Sequence, residues 1–173
     1  LSSMNAQELS NTIWAWAKLR PIGSVGLDAF SQALLLELGQ RSPKLSGGDF
    51  QAQELSNIAW ALARLQALDN EVLAAVAAGA SAQINHFTPQ GLSNLLWSAA
   101  TLQAGEAREA FVCVLGPALA AVSARDFARR DARALTAAAW AAATLDMSDL
   151  AFYKAIAVEV RLRLPELTPQ GLV

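Results

Sequence analysis

Four stretches of this chain repeat one pattern without gaps. They are Gln7–Leu19 (QELSNTIWAWAKL), Gln53–Leu65 (QELSNIAWALARL), Gln90–Leu102 (QGLSNLLWSAATL) and Arg133–Leu145 (RALTAAAWAAATL). Their tryptophans, Trp14, Trp60, Trp97 and Trp140, follow one another at intervals of 46, 37 and 43 residues. Leu167–Leu172 (LTPQGL) then repeats Phe87–Leu92 (FTPQGL), so a fifth copy opens there. Recurrence at such intervals marks repeat architectures, whose units bury an apolar face only by stacking on their neighbours. The expected fold class is all-α: an α-solenoid of stacked helical hairpins.

Each copy opens with helix-start chemistry. Asn5, Thr88, Asp131 and Thr168 share one repeat position and can accept from the unpaired N–H groups of a first helical turn. Pro89 and Pro169 follow, where a missing N–H costs nothing. Asn5 with Glu8 has capping-box spacing, whereas Gln51 is a poorer cap. A second amphipathic stretch follows each motif, at about 27–38, 71–84, 106–122 and 149–164. Arg41–Asp49, with Pro43, Gly47 and Gly48, is expected to be an exposed loop. Gly116-Pro117 should kink or split the second helix of the third unit. The repeat units run approximately 4–49, 50–86, 87–129 and 130–166, with the fifth starting at 167–173. All belong to one solenoid over 1–173, and neither end carries a polar capping helix, so a longer chain is expected.

Composition supports helices and removes several classes. Hydrophobic residues make up 54% of the chain, but aromatic residues only 7%. Alanine supplies much of the apolar share and is the best helix former. No stretch alternates apolar and polar over a strand's length. Val72–Gly105 lacks Asp, Glu, Lys and Arg, yet Gln83, Asn85, His86, Pro89, Gln90 and Asn94 interrupt it. Its apolar core is far short of the roughly 20 residues a spanning helix needs, so no membrane span is expected. Leu1-Ser2-Ser3-Met4 has no signal-peptide character, and a removed transit peptide would leave no trace. Cys113 is a single cysteine, which excludes an internal disulfide. A net charge of −2 argues against strong salt-driven nucleic-acid affinity, though not against a local basic groove.

The pattern Pro-Gln-x-Leu-Ser-Asn-x-x-Trp-x-x-Ala-x-Leu, at spacings near forty, resembles the octotricopeptide repeat family of green algae. The likeness spans essentially the whole chain and is best in the second and third copies. The fourth departs from it, with Ala137 in place of Asn and Arg133 in place of Gln. The resemblance implies an organelle-targeted helical solenoid, mitochondrial or chloroplast, that binds particular RNAs and affects their stability, splicing or translation. Some relatives of that kind are instead built into organellar ribosomes. The spacings do not fit tetratricopeptide or ankyrin periods of about 34 and 33.

Wrapped at 100° per residue, the first motif places Leu9, Thr12, Ile13, Trp16, Ala17 and Leu19 in one apolar arc. Asn11 and Lys18 fall on the opposite face, with Trp14 on its flank. The equivalent residues are Asn57, Trp60 and Arg64, then Asn94, Trp97 and Thr101, then Ala137, Trp140 and Thr144. Stacking would align them in a ladder. Candidate RNA contacts are Asn11, Asn57 and Asn94 for base edges and Lys18, Arg64 and Thr101 at the varying position. The alternative is structural: tryptophans packing between units, asparagines tying neighbouring backbones. Leu9, Leu55, Leu92 and Leu135, with the four tryptophans, are expected to be repeat core. Arg125, Arg129 and Arg133, spaced by four with Arg130 beside them, would line one helical face and grip phosphates, unless Asp126 and Asp131 neutralise them on an ordinary linker.

Catalysis finds little support. Cys113 and His86 lie in different elements, Gly23/Gly26 and Gly47-Gly48 do not make phosphate-cradling motifs, and no cluster has metal-ligand spacing. No enzymatic activity and no cofactor are expected. Two readings remain open. One is an RNA-binding solenoid contacting mRNA or rRNA. The other is a scaffold in an organellar ribosome or other ribonucleoprotein, touching ribosomal proteins or RNA backbone.

Overall fold

A computed structural model describes residues 2–20, 28–102, 105–106, 108–114, 132–145 and 150–162. Among them all regular structure is helical. The helices are α1 (Ala6–Leu19), α2 (Ala29–Gln40), α3 (Ser42–Gly47), α4 (Ala52–Leu65), α5 (Asn70–Ala82), α6 (Pro89–Thr101), α7 (Ala132–Thr144) and α8 (Leu150–Leu162). Residues 108–114 are also helical, and a 3-10 turn covers Ile84–His86. The four motif copies are thus α1, α4, α6 and α7. No helix among the described residues is long and apolar enough to cross a membrane. Gly116-Pro117 lies outside the described residues.

The motif helices pack in a row, α1 on α4, α4 on α6 and α6 on α7. The second helices sit behind them, with α2 and α3 against α5. In α4 the apolar positions Leu55, Ile58, Ala59 and Leu62 recur at helical spacing and are fully buried, as an inward stripe must be. Burying each large aliphatic side chain contributes about 1.5–3 kcal/mol. Ser10, Ser56 and Ser93 are also buried, and each hydroxyl donates to a backbone carbonyl of its own helix, Gln7 O, Gln53 O and Pro89 O. A small residue that satisfies its own hydroxyl lets the next helix approach without an unpaired polar group.

The starts of the motif helices share one device. Asn5 Oδ1 accepts from Glu8 N–H at 2.9 Å while Glu8 accepts from Asn5 N–H at 2.8 Å, a closed capping box. Thr88 Oγ1 accepts from Gly91 N–H with Pro89 in the first turn. In α4 the Glu54 carboxylate accepts from Gln51 N–H. The residue before each of these three caps, Met4, Phe50 or Phe87, is apolar. Phe50 and Phe87 are buried, as are Leu55 and Leu92 five positions on, the spacing of a hydrophobic staple. The carbonyl of that same residue is held from the far end of its own unit. Arg41 donates to Met4 O at 2.7 Å, and Gln83 donates to Phe50 O at 2.8 Å. Each side chain therefore closes its hairpin.

The segment expected to be an exposed loop is mostly helix. Pro43 sits in the first turn of α3, where its missing N–H is tolerated. That N–H would have served Gly39 O in a continuous helix, and the Ser42 hydroxyl donates to Gly39 O instead, at 2.8 Å. α2 therefore ends at Arg41 and α3 starts at once. Leu45 on α3 is fully buried, and α3 lies so close to α5 that a Cβ on Gly79 would sit 2.1 Å from Leu45 O. Only glycine fits there. Gly48, at φ 96°, then ends α3 in the left-handed region that glycine adopts without strain.

Candidate nucleic-acid interface

The row of motif helices brings three of the four tryptophans into direct contact. Trp14 and Trp60 have ring centroids 6.1 Å apart and tilted by 42°, and Trp60 and Trp97 are 5.9 Å apart and stacked at 29°. All three rings are half-buried. Trp60 thus has a neighbouring indole on each side along the row, so these rings pack units together more than they offer free faces. Trp140, on α7, is 48% exposed.

The position that varies as Lys, Arg, Thr and Thr has four different fates. Lys18 is exposed, with Nζ 4.7 Å from the Trp14 ring centroid. Arg64 is half-buried; its guanidinium lies 5.7 Å from the Trp60 centroid and reaches back to α1. Its Nε donates to Ala17 O at 2.8 Å and Nη2 to Arg20 O at 3.2 Å. A cation there satisfies carbonyls left open at a helix C-terminus and opposes the dipole charge. Thr101 Oγ1 is buried with no hydrogen-bond partner among the described residues. Thr144 Oγ1 donates to Trp140 O. Two other side chains make similar inter-helix links: Gln66 Nε2 donates to Thr101 O at 3.0 Å, and Arg108 Nε to Ala99 O at 3.1 Å.

The asparagines behave otherwise. Asn11 is exposed and Asn57 and Asn94 are half-buried, and none of their carboxamides makes a hydrogen bond among the described residues. They tie no backbones together there. Gln7, Gln53 and Gln90 precede them by four residues, the spacing that puts two side chains on one helix face. Between the N-terminal halves of α1 and α4 lies a polar cleft of about 160 Å³ lined by Gln7, Ser10, Asn11, Gln51, Gln53, Glu54 and Asn57. A second cleft of about 330 Å³, between α4 and α6, has Gln51, Gln53, Gln83, His86, Phe87 and Thr88 in its walls. The glutamines were legible as a motif position. Their part in a cleft was not, because it depends on the offset between neighbouring helices.

Of the structural residues, Leu9, Leu55 and Leu92 are fully buried. The side chain of Leu135 lies outside the described residues. Arg125, Arg129 and Arg130 also lie outside them; Arg133 belongs to α7, with its side chain likewise outside. Among the described residues no three His, Cys, Asp or Glu side chains gather as a metal ion would require, and Cys113 is exposed. No known protein family matches the chain, and neither does any curated protein sequence.

Proposed function

We propose that the chain is an α-solenoid of the octotricopeptide type that binds single-stranded RNA along the outward face of its motif helices, in organellar RNA metabolism or translation. The observation that carries the proposal is the set of unpaired carboxamides on Asn11, Asn57 and Asn94, held on adjacent helices whose tryptophans pack together. These amides face solvent and spend no hydrogen bond inside the protein among the described residues, and a nucleobase edge supplies both donors and acceptors. Lys18 would meet phosphate. The chain itself performs no chemistry in this proposal and takes no cofactor; its partners are mRNA or rRNA, within a longer polypeptide or a larger particle in the mitochondrion or chloroplast.

The test is the affinity of the chain for short single-stranded RNA across a salt series, against a polyanion of matched charge. The proposal holds if RNA binds more tightly than the control, and fails if the two are equal. Reversing Arg125, Arg129, Arg130 and Arg133 to Glu should also reduce RNA crosslinking; unchanged crosslinking removes that cluster from the site.

A second reading is favoured by two facts: the net charge is −2, and Arg64 donates to backbone carbonyls of α1. Few cations then remain for phosphates, which suits an architectural module of an organellar ribosome or other ribonucleoprotein whose contacts include proteins. Crosslinking within the purified particle separates the two readings, since the scaffold predicts mainly protein neighbours on the face bearing Asn11 and Asn57.

A further inference from the structure

We infer that the two ends of the helix row are complementary, and that the chain associates head to tail, with α1 of one copy docked on α7 of a second. The inference stands apart from the RNA proposal, because this contact leaves the outward face of Asn11, Lys18 and Asn57 free.

The inner joints of the row are all made the same way. Each motif helix carries one stripe toward the helix before it and another, on its opposite side, toward the helix after it. The first stripe holds Ile58, Ala61 and Leu65 in α4 and Leu95, Ser98 and Leu102 in α6. Leu65 is half-buried and the other five are buried. The second stripe holds Ser10 and Ala17 in α1, Ser56 and Ala63 in α4, and Ser93 and Ala100 in α6, all of them buried. The two stripes meet directly. A Cβ on Gly91 of α6 would lie 3.6 Å from Ser56 Oγ of α4, and the Arg64 guanidinium of α4 reaches Ala17 O of α1.

At each end of the row one stripe is open. In α1 the first stripe is Thr12, Ala15 and Leu19, of which Ala15 and Leu19 are exposed and Thr12 is half-buried. The Thr12 hydroxyl donates to Glu8 O at 2.7 Å, so, like the buried serines, it can be covered without losing a hydrogen bond. Beside it, Trp16 meets the exposed ring of Phe30 edge-on, with centroids 4.9 Å apart. In α7 the first stripe is filled where the helix packs on α6, with Ala141 fully buried and Leu145 half-buried. The second stripe of α7 is bare. Ala143 is exposed, although its counterparts Ala17, Ala63 and Ala100 are buried, and Trp140 is more exposed than the other three motif tryptophans.

A second copy therefore finds on α7 the kind of surface that α4 finds on α1. The two faces differ, so the contact is heterologous, and copies add in a row or ring rather than closing as a symmetric pair. One helix laid on one helix is a small interface, and the copies part on dilution.

The test is sedimentation of the full chain over a wide concentration range, with two variants that each block one end, Leu19→Glu and Ala143→Glu. Both sites are open surface, so circular dichroism should match the native chain. The mass of the native chain should rise with concentration. Each variant alone should associate at least about tenfold more weakly, since the joint would bury an unpaired carboxylate. An equimolar mixture of the two should recover the mass of two chains and no more, because one free end of each kind remains. A native chain that stays monomeric overturns the inference, as does association that survives in both variants. Loss in the Leu19 variant alone means that α1 faces pair with each other, and overturns the head-to-tail joint. A mixture that stays monomeric overturns it too.

Discussion

α1 and α4 carry nearly the same motif, yet the same positions have different surroundings. Ile58, Ala61 and Leu65 of α4 correspond to Thr12, Ala15 and Leu19 of α1. Ile58 and Ala61 are fully buried and Leu65 is half-buried; Ala15 is exposed and Leu19 is 77% exposed. The difference lies in the neighbour. α4 has a motif helix on each side, and α1 has one on the side of α4. Burial at a repeat position is thus a property of the interface, and the motif only makes the residue suitable for it. The same holds on the other stripe, where Ser10 and Ala17 are as buried as Ser56 and Ala63 because each faces the next helix in the row.

The strongest way to break this comparison is to truncate one large aliphatic side chain on each helix. Ile58→Ala removes three carbons from a filled site and should cost about 2–5 kcal/mol. Leu19→Ala in the same chain should change stability by less than about 0.5 kcal/mol, as a substitution on open surface does. Denaturant melts of the two variants supply the measurement. Comparable losses would mean that the Leu19 face is covered in solution.

Lys18 and Arg64 make a second matched pair, with a smaller expected difference. Arg64→Ala leaves Ala17 O and Arg20 O without their guanidinium donors, and should cost about 1–3 kcal/mol. Lys18→Ala loses an exposed contact with Trp14 worth about 0.5–1 kcal/mol at most. On RNA affinity the order should reverse, with Lys18→Ala the more damaging. If Arg64→Ala is neutral to stability but weakens RNA binding, its place is on phosphate and the link to α1 is incidental.

These pairs also show what could be read before any coordinates. Helix identity and phase follow from local chemistry: the expected motif span Gln7–Leu19 sits inside Ala6–Leu19, and the caps Asn5 and Thr88 accept the bonds expected of them. The segment Arg41–Asp49 misled, because Pro43 and paired glycines signal a turn by composition while Leu45 signals burial only through its neighbour α5. Pro43 broke the helix without ending helicity, since a first turn accommodates it. The fate of Arg64 was equally hidden. A long cation on a polar face can meet phosphate or a helix end, and the choice depends on how far α4 is offset along α1. Open carboxamides at Asn11, Asn57 and Asn94 share that limit: the repeat gives the residues, and the stacking gives their freedom.

A third pair compares helix starts. Asn5 Oδ1 accepts directly from Glu8 N–H at 2.9 Å, so Asn5→Ala should cost about 1 kcal/mol. For α4 the fixed bond is the reciprocal one, from Gln51 N–H to Glu54, and Gln51→Ala keeps that backbone donor. Its cost should be visibly smaller. Equal losses, measured by thermal unfolding, would show that Gln51 caps α4 with its side chain.

The smallest expected effect concerns pH and separates the first unit from the rest. The Ser31 backbone N–H, 2.7 Å from Asp28 Oδ1, holds the Asp28 carboxyl below its ordinary range. The Ser31 hydroxyl and the Arg20 guanidinium, 3.3 Å away, add to this, while desolvation opposes it. A carboxyl whose folded pKa is depressed stabilises the fold above its unfolded value, near pH 4, and that contribution is lost as pH falls through the folded pKa. The start of α2 should therefore loosen on acidification below about pH 4. Asp28→Asn keeps an acceptor for Ser31 N–H but cannot titrate, so its unfolding midpoint should fall less steeply with acid than that of the native chain. Identical slopes would mean that Asp28 has the same pKa folded and unfolded, and that its bonds to Ser31 and Arg20 are too exposed to favour the charged form.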